Sequence, residues 1–384
     1  MAMAGGGDGA FIGAIHRIAS RMDGDVVLVA GAFQQDPVRA RSFGEALGLP
    51  SYRSYPSVEA LLVGEVALPH TERAEFIAIT TPNDSHLSIA EAALRAGFHV
   101  LSEKPATLSL AEARQLSKTI SETGRLYGLA HTYLGYPMVE EARQLVASGR
   151  LGTVHRVMVE YPQGWLAKHS VGNKQADWRT DPVRSGASGC FGDIGSHAHN
   201  LAEFVVSRRV TRLAARLRTV VPGRCLDDDG DAWFEMDGGI RGCLFASQVC
   251  AGQANGLAIR IFGDLAGLEW RQEDPNILTL HVADGPTEIW RGGTGMPRFA
   301  PDVDTLFRTP GGHPEGYLEA FANLYRRFAG EVRDWPSVGA SRFDPGIGAA
   351  LRGMAFIEAS VASSAMDGVW QDLPQFDESA DFAM

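Results

Sequence analysis

Two short segments carry side chains that could together move a proton. The first is Glu103-Lys104-Pro105, and about ninety residues later comes Asp193-Ile-Gly-Ser-His197. A lysine ammonium, an imidazole and an orienting carboxylate are the groups needed to take a proton from a hydroxyl while its carbon loses hydride. We therefore predict Lys104, Asp193 and His197 as catalytic residues, each of which would also touch the substrate.

The spacing of four residues places Asp193 and His197 on one face of the helix expected there. His199 follows, and a carboxylate with two imidazoles could bind zinc. No glutamate or cysteine nearby completes an evident ligand set, so no metal is predicted. Lys104 ends a predicted strand over 98–102, and Pro105 stops that strand, which favours a pocket-facing lysine over a surface charge.

A glycine-rich run, Gly5-Gly-Gly-Asp-Gly9, leads into a helix-like segment that begins at Phe11. Glycines let the backbone approach a pyrophosphate, which then rests at a helix N-terminus. The spacing is about two residues longer than the usual fingerprint. The first predicted strand, 1–4, is very short, which leaves open a natural start upstream. The cofactor-binding residues expected here are Gly7, Gly9, Ala10, Phe11 and Ile12.

The end of the second predicted strand bears on the choice of cofactor. An acid there binds the ribose of NAD, and a basic residue favours NADP. The chain has Gln34, which could serve either nucleotide, so NAD or NADP is expected, with NAD favoured. Thr81, Pro82 and Asn83 end a further strand with His86 beyond them; they predict either cofactor contact or a capped turn. These motifs together indicate a nicotinamide-dependent dehydrogenase.

The composition excludes several classes of protein. The chain has 384 residues, 45% of them apolar, 21% charged, and a formal net charge of −11. Nucleic acids and anionic membranes require a basic surface, so neither is expected as a partner. No apolar run approaches the roughly 20 residues that span a bilayer. The four cysteines show no metal spacing and are predicted to be reduced core thiols in a cytoplasmic protein.

The pattern of elements predicts two domains and an α/β fold class. Residues 1–130 alternate buried strands with helices, which is typical of a parallel Rossmann sheet that binds a dinucleotide; one such strand is expected over 25–31. Residues 131–384 instead show polar and apolar residues in alternation, which indicates a mostly antiparallel sheet. Two terminal helical patterns, 313–328 and 346–364, complete the chain and could pack back on the first domain.

A loop-like stretch, 161–182, is rich in aromatic and polar side chains. Flat rings suit the apolar faces of a sugar, and polar groups suit its hydroxyls. The alternative is a loop that simply packs on the sheet. The acidic run 227–231 lacks the ligand spacing of a calcium loop and is interpreted as a solvated turn. The substrate-binding residues expected in this stretch are Trp165, Lys174 and Arg179, and Tyr133 is expected to join them.

The combination of motifs resembles the Gfo/Idh/MocA oxidoreductases. The resemblance covers nearly the whole chain and rests on the glycine loop, on Glu103-Lys-Pro105 and on Asp193-x-x-x-His197. Two further segments, Trp178-Arg-Thr-Asp-Pro182 and Gly312-His-Pro-Glu-Gly-Tyr317, are similar to a levoglucosan dehydrogenase-like or inositol dehydrogenase-like subgroup.

The resemblance implies a Rossmann domain followed by an α/β domain with a large, mostly antiparallel open sheet that mediates homodimer or homotetramer formation. It also implies hydrogen bonding of the reacting oxygen by Lys104, acid–base chemistry at His197, and orientation of His197 or substrate binding by Asp193. Glu103, Lys104, Trp178 and Arg179 are carried over as cofactor contacts, and His313 as a substrate contact.

The expected activity is hydride transfer between NAD or NADP and a secondary alcohol or ketone of a sugar, anhydrosugar or cyclitol. Two alternatives stay open: a glycoside hydrolase that uses NAD for a transient oxidation, and a non-catalytic sugar-sensing regulator on the same fold. An intact set of Lys104, Asp193 and His197 argues against a regulator, because a binding protein does not need proton transfer.

Overall fold

A computed structural model describes residues 1–168, 174–338 and 343–376. The chain forms two compact units. The first comprises Met1–Ala130 and Phe321–Leu351, and the second comprises His131–Ala320 and Arg352–Gln375. Of the helices within the described ranges, none has the length and apolar character needed to cross a membrane.

The first unit contains a five-stranded parallel sheet in the order β2-β1-β3-β4-β5. Its strands are β1 (Ala2–Gly5), β2 (Ala30–Ala32), β3 (Phe76–Thr80), β4 (His99–Ser102) and β5 (Tyr127–Leu129). Every residue of β2 to β5 is buried, because helices cover both faces of such a sheet. The predicted strand–helix alternation is confirmed.

Helices connect these strands, and local capping residues start several of them. They are α1 (Phe11–Arg21), α2 (Pro37–Ala46), α3 (Val58–Val66), α4 (His86–Arg95) and α5 (Leu110–Thr123). Ser57 accepts a hydrogen bond from Ala60 N–H at the start of α3, and Ser109 caps α5 in the same way.

The second strand is much shorter than the sequence predicts. The β-branched run over 25–31 predicts a full strand, but the ladder covers Ala30–Ala32 alone. Its partner β1 offers only Ala2, Met3 and Ala4 for pairing, so the earlier residues have no parallel ladder to join. Local propensity was therefore overridden by the lack of a partner.

The second unit is built on a nine-stranded sheet in the order β13-β12-β11-β10-β6-β9-β8-β7-β14. Its strands are β6 (Val154–Pro162), β7 (Val210–Arg218), β8 (Asp229–Met236), β9 (Ile240–Ser247), β10 (Ala258–Gly263), β11 (Ala266–Arg271), β12 (Ile277–Val282), β13 (Thr287–Arg291) and β14 (Gln371–Asp372). All pairs are antiparallel except β6 with β9. The predicted fold class is confirmed.

Side chains alternate across this sheet. On β6, Val157, Val159 and Tyr161 are buried, while Met158 and Glu160 on the other face are half-exposed. The helices after residue 131 are α6 (Pro137–Ala147), α7 (Lys174–Arg179), α8 (Pro182–Ser185), α9 (Ser196–Val206), α10 (Tyr317–Val338) and α11 (Ile347–Ala365), and most of α10 belongs to the first unit. Helices α6 and α9 pack against the sheet, and every residue of α9 is buried.

The cysteines only partly match the prediction of reduced core thiols. All four are free, and Cys190 is buried as expected. Cys225 is exposed, and Cys243 and Cys250 are intermediate. The prediction of core positions is therefore wrong for Cys225, which lies at an exposed position in the connection between β7 and β8.

Candidate active site

The glycine loop of the first unit packs directly on the start of α1. A Cβ atom on Gly13 would lie 2.3 Å from Gly6 Cα, and one on Gly6 would lie 2.7 Å from Thr80 Oγ1, so only glycine fits at both positions. The N-cap residue is Ala10, whose methyl group cannot accept a hydrogen bond from the first-turn N–H groups. Those donors and the bare backbone of the loop fit the pyrophosphate of a dinucleotide.

Gln34 follows β2 and lies against this loop. The Gly7 N–H donates to Phe33 O at 3.1 Å, and a Cβ atom on Gly7 would lie 2.4 Å from Gln34 Cγ. Asp36 then caps α2, accepting from Val38 N–H and from the next N–H. Gly9 has a φ of +74° in the same loop, and Phe11 at the start of α1 is exposed.

His86 joins the two predicted loop motifs of the first unit. Its Nδ1 lies 2.7 Å from Pro105 O, and its Nε2 lies 2.9 Å from Thr81 O. The ring is fully buried, and burial lowers the pKa of His86 while the two carbonyls oppose that shift. Because the His86 ring contacts both segments, it fixes the turn after β3 and the turn after β4 relative to each other.

Glu103 anchors the backbone of Lys104. One carboxylate oxygen lies 2.9 Å from His16 Nε2, the other accepts from Lys104 N–H at 3.1 Å, and His16 Nδ1 lies 2.7 Å from Tyr325 Oη. Burial raises the pKa of Glu103, but the hydrogen bond and charge of His16, with the charge of Lys104, hold that pKa below its usual range. His16 and Tyr325 were missed at the sequence level, because their contacts join distant segments.

In the second unit, Asp193 lies in a π-helical turn, Phe191–Gly195, directly before α9. Such turns are frequent at functional sites. The Asp193 carboxylate accepts hydrogen bonds from Gln248 Nε2 at 2.8 Å and from Arg179 Nε at 3.3 Å. The Arg179 guanidinium in turn lies over the Trp178 ring at 4.2 Å. Three predicted site residues thus come together, and Gln248 joins them.

His197 lies on the first turn of α9, in contact with aromatic rings. Its Nδ1 lies 3.2 Å from His131 Nδ1, and its ring meets the Tyr133 ring edge-on at 4.8 Å. The Tyr133 and Tyr161 hydroxyls are hydrogen-bonded to each other. His131 was not predicted, since a lone histidine after a strand carries no sequence signal.

The acidic run near residue 227 is not the solvated turn that the sequence predicts. Asp227 is half-buried beside the helical segment, where it accepts from Gly189 N–H and Phe191 N–H, both at 2.9 Å, and the next two residues, Asp228 and Asp229, are buried. Burial raises the pKa of Asp227 despite these bonds. The carboxylate therefore fixes the start of the turn that carries Asp193, as negative charge at a helix N-terminus is favourable.

The remaining predicted substrate residues have varied surroundings. Trp165 is partly exposed and donates its indole N–H to Gln163 Oε1 at 2.9 Å. His313 is exposed, and its contacts are to Pro310 and Thr309 rather than to the cluster around His197. The side chain of Lys174 lies outside the described part of the chain. Among the described residues, no three His, Cys, Asp or Glu are arranged to hold a metal ion.

Comparison with known proteins places these features in a family. Residues 1–131 match the oxidoreductase family with an NAD-binding Rossmann fold, and residues 139–269 match the GFO/IDH/MocA C-terminal domain. The uncharacterized oxidoreductase YfiI of Bacillus subtilis is 30% identical over 96% of this chain and 95% of its own length. The chain belongs to the Gfo/Idh/MocA oxidoreductase family.

Two other relatives resemble this Gfo/Idh/MocA chain. A crystal structure of an inositol dehydrogenase homologue from Azotobacter vinelandii, complexed with NADH and myo-inositol, is 34% identical, with a TM-score of 0.90, covering 97% of this chain and 96% of that one. Levoglucosan dehydrogenase of Pseudarthrobacter phenanthrenivorans is 31% identical over 162 residues, which are 42% of this chain and 40% of that protein. The predicted family and the predicted class, an oxidoreductase with a dinucleotide-binding domain, are confirmed.

Proposed function

We propose that this Gfo/Idh/MocA oxidoreductase oxidises a secondary alcohol of a cyclitol, sugar or anhydrosugar, with NAD as the hydride acceptor. The observation that carries the proposal is the presence, in one unit, of a buried imidazole at His197 and of an Asp193 carboxylate held by two donors. A binding protein would not require a buried base, whereas alcohol oxidation does.

Each proposed role follows from the chemistry of the side chain. Bound NAD would supply the hydride acceptor, C4 of its nicotinamide. His197 takes the hydroxyl proton, and the Lys104 ammonium stabilises the negative charge that develops on the oxygen. Asp193, whose carboxylate is already oriented by Arg179 and Gln248, accepts a hydrogen bond from a second hydroxyl of the substrate.

A cyclitol is the preferred substrate class within this proposal. The relative that covers 97% of the chain was crystallised with myo-inositol, and its 34% identity exceeds what a shared fold alone requires. Polar groups with fixed geometry, such as Asp193 and Arg179, suit a ring with several hydroxyls. Partly exposed Trp165 offers a flat face for the apolar side of such a ring.

NAD is preferred over NADP because acidic groups surround the end of β2. Asp36 already occupies the first-turn N–H groups of α2, which a 2′-phosphate would otherwise use. The nearby cation Arg39 lies 3.5 Å from the Asp8 carboxylate. We expect Gln34→Arg to shift the ratio of kcat/KM values toward NADP by about tenfold, the effect of one added phosphate contact of roughly 1.4 kcal/mol.

A homo-oligomer formed through the open sheet face is part of the proposal. The exposed ring of Trp233 lies on this face, beside a groove of about 260 Å³. Acidic Glu160 and Asp231 and basic Arg260 line the same groove, so a symmetry-related copy could bring opposite charges together. Light scattering of Trp233→Glu should show dissociation; an unchanged oligomer would exclude this face.

The cytoplasm is the proposed location. All four cysteines are free, which suits a compartment that keeps thiols reduced. Cell fractionation with the intact chain tests this, and recovery from an oxidising compartment would contradict it.

The test of function is nicotinamide absorbance with purified protein, NAD or NADP, and a panel of inositols, monosaccharides and anhydrosugars. Reduction of NAD with a cyclitol is the expected result. Lys104→Met should lower kcat by about 10²–10³, the loss seen when one oxyanion donor is removed. Cleavage of a glycoside without net reduction would indicate the hydrolase instead, and tight sugar binding without either reaction would indicate a regulator.

A further inference from the structure

A second buried histidine contacts the proposed base. His131 Nδ1 lies 3.2 Å from His197 Nδ1, with the two ring planes at 83°. The two residues are 3% and 8% exposed, so neither imidazole is bathed in solvent. The contact therefore joins one nitrogen of each ring, and the proton between the two nitrogens is bonded to one ring at a time.

The position of that proton decides what His197 can do. A hydrogen bond between two Nδ1 atoms needs one N–H and one lone pair, because two N–H groups or two lone pairs would repel. If His131 donates, neutral His197 carries its proton on Nε2 and has no lone pair for a substrate hydroxyl. If His197 donates, its Nε2 keeps the lone pair and can accept a proton.

We propose that His131 is a positioning residue that holds His197 in the tautomer protonated on Nδ1; this inference rests on the proposed function. His131 is then protonated on Nε2 and presents Nδ1 as the acceptor. During oxidation the hydroxyl proton moves to His197 Nε2, and the hydrogen on the carbinol carbon leaves with its electron pair to the nicotinamide. The imidazolium keeps its Nδ1–H bond to His131 until the proton is released to water.

The contacts of His197 support this assignment. Its Nδ1, a nitrogen that an orienting group would engage, lies 3.2 Å from His131 Nδ1. The resemblance implied that Asp193 orients His197 or binds substrate, and its carboxylate accepts hydrogen bonds from Gln248 and Arg179. With neutral His131 as its partner, His197 needs no further carboxylate beside Asp193. A second negative charge in this buried region would be costly.

The backbone around His131 is fixed tightly enough for this role. Leu134 N–H donates to His131 O at 3.1 Å, and residues 132–135 form a buried 3₁₀ turn. A Cβ atom on Gly135 would lie 2.0 Å from Ala320 O, so the segment is packed without spare room. On the other side, Tyr133 packs edge-on against the His197 ring and limits its rotation.

The direct test needs no substrate. Selective ¹⁵N-histidine labelling of the full chain, with correlation spectra that separate the two ring nitrogens, reports which nitrogen of each ring is protonated. His197→Asn and His131→Asn identify the two sets of signals. We expect neutral His197 to be protonated on Nδ1 and His131 on Nε2. The reverse assignment would overturn the proposal, whether or not the protein proves to be a dehydrogenase.

Kinetics supplies the second test. His131→Leu should lower kcat about 10–100-fold, the usual loss when the partner that orients a functional histidine is removed, with a smaller change in KM. The acidic limb of the kcat profile should move to lower pH, because the imidazolium loses its acceptor. His131→Asn, whose amide oxygen can accept the same bond, should recover most of the activity.

Equal kcat values and equal pH profiles in both variants would contradict a positioning role. Thermal melting of both variants identifies misfolding, and the asparagine variant decides the question if the leucine variant does not fold. Failure of the unmodified protein to reduce NAD with any substrate would instead refute the proposed function, while the tautomer measurement would still stand.

Discussion

Two histidines that lie two residues apart on α9 have opposite surroundings. His197 meets a second imidazole at 3.2 Å. His199 stacks on Phe356 at 4.4 Å, and its Nε2 lies 3.5 Å from Glu203 Oε1. Because successive residues of a helix are rotated by about 100°, positions two apart face opposite sides. One helix thus presents the same residue type to two different electrostatic environments.

The difference shows how a partner decides whether a histidine can exchange a proton. Glu203 also accepts from Arg352 Nε and from Val210 N–H, both at 2.8 Å. Burial raises the pKa of Glu203, but the charges and hydrogen bonds of His199 and Arg352 outweigh burial and hold that pKa at about 2. The Glu203 carboxylate is therefore ionised at neutral pH. A neutral imidazole partner, in contrast, accommodates His197 both before and after it gains a proton.

The largest expected effect is a difference in kcat between variants of His197 and of His199, which lie on opposite sides of α9. His197→Asn should lower kcat by about 10²–10⁴, the usual contribution of a general base. The matched variant His199→Asn should change kcat little, because the proposed reaction does not use this ring. Steady-state kinetics with the substrate found in the panel measures both. Similar losses in the two variants would remove the distinction drawn here.

The stability of the fold should depend on the Glu203 side of α9 rather than on the His197 side. Glu203→Gln leaves the Arg352 guanidinium buried without its counter-charge, which costs about 3–5 kcal/mol in the free energy of unfolding. Urea denaturation measures the loss. Glu72→Gln, at an exposed position before β3, serves as the control and should stay within about 0.5 kcal/mol. Equal values for the two variants would mean that the buried cluster does not stabilise the fold.

The free energy of unfolding at low pH should report on the same buried cluster of Glu203, His199 and Arg352, with a smaller effect. The pKa of Glu203 is about 2 in the folded chain against an ordinary value of 4.5, so its contribution is fully present above the ordinary value and is lost as the pH falls toward 2. That contribution is about 3 kcal/mol. Unfolding free energies measured across this range should fall less steeply in Glu203→Gln than in the unmodified protein. Parallel curves would assign the acid sensitivity to other groups.

Much of the fold was predictable because its signals are local. Alternating polar and apolar residues, as along β6, predicted the antiparallel sheet, and the succession of buried strands and helices predicted the parallel sheet. Alternation does not indicate β11, because its first three residues are all buried. The strand expected over 25–31 was overestimated because pairing, rather than propensity, sets its length.

The candidate site was predictable in its residue types but not in its contacts. Spacing selected Lys104, Asp193 and His197 as candidates for proton transfer. It could not show that Asp193 is held by Gln248, which follows it by 55 residues, or that Asp227 supports the turn before α9. Those bonds depend on strands that are adjacent only after the sheet has formed.

From the sequence alone one can state that this chain is an α/β protein with a glycine loop and an acid–base set, because periodicity and short motifs are properties of neighbouring residues. Only the tertiary structure decided which histidine faces His131 and which faces Glu203. Both side chains look alike in the pattern His197-Ala-His199. Their chemistry differs because a hydrogen-bond partner, with its charge, is supplied by a segment far away in the chain.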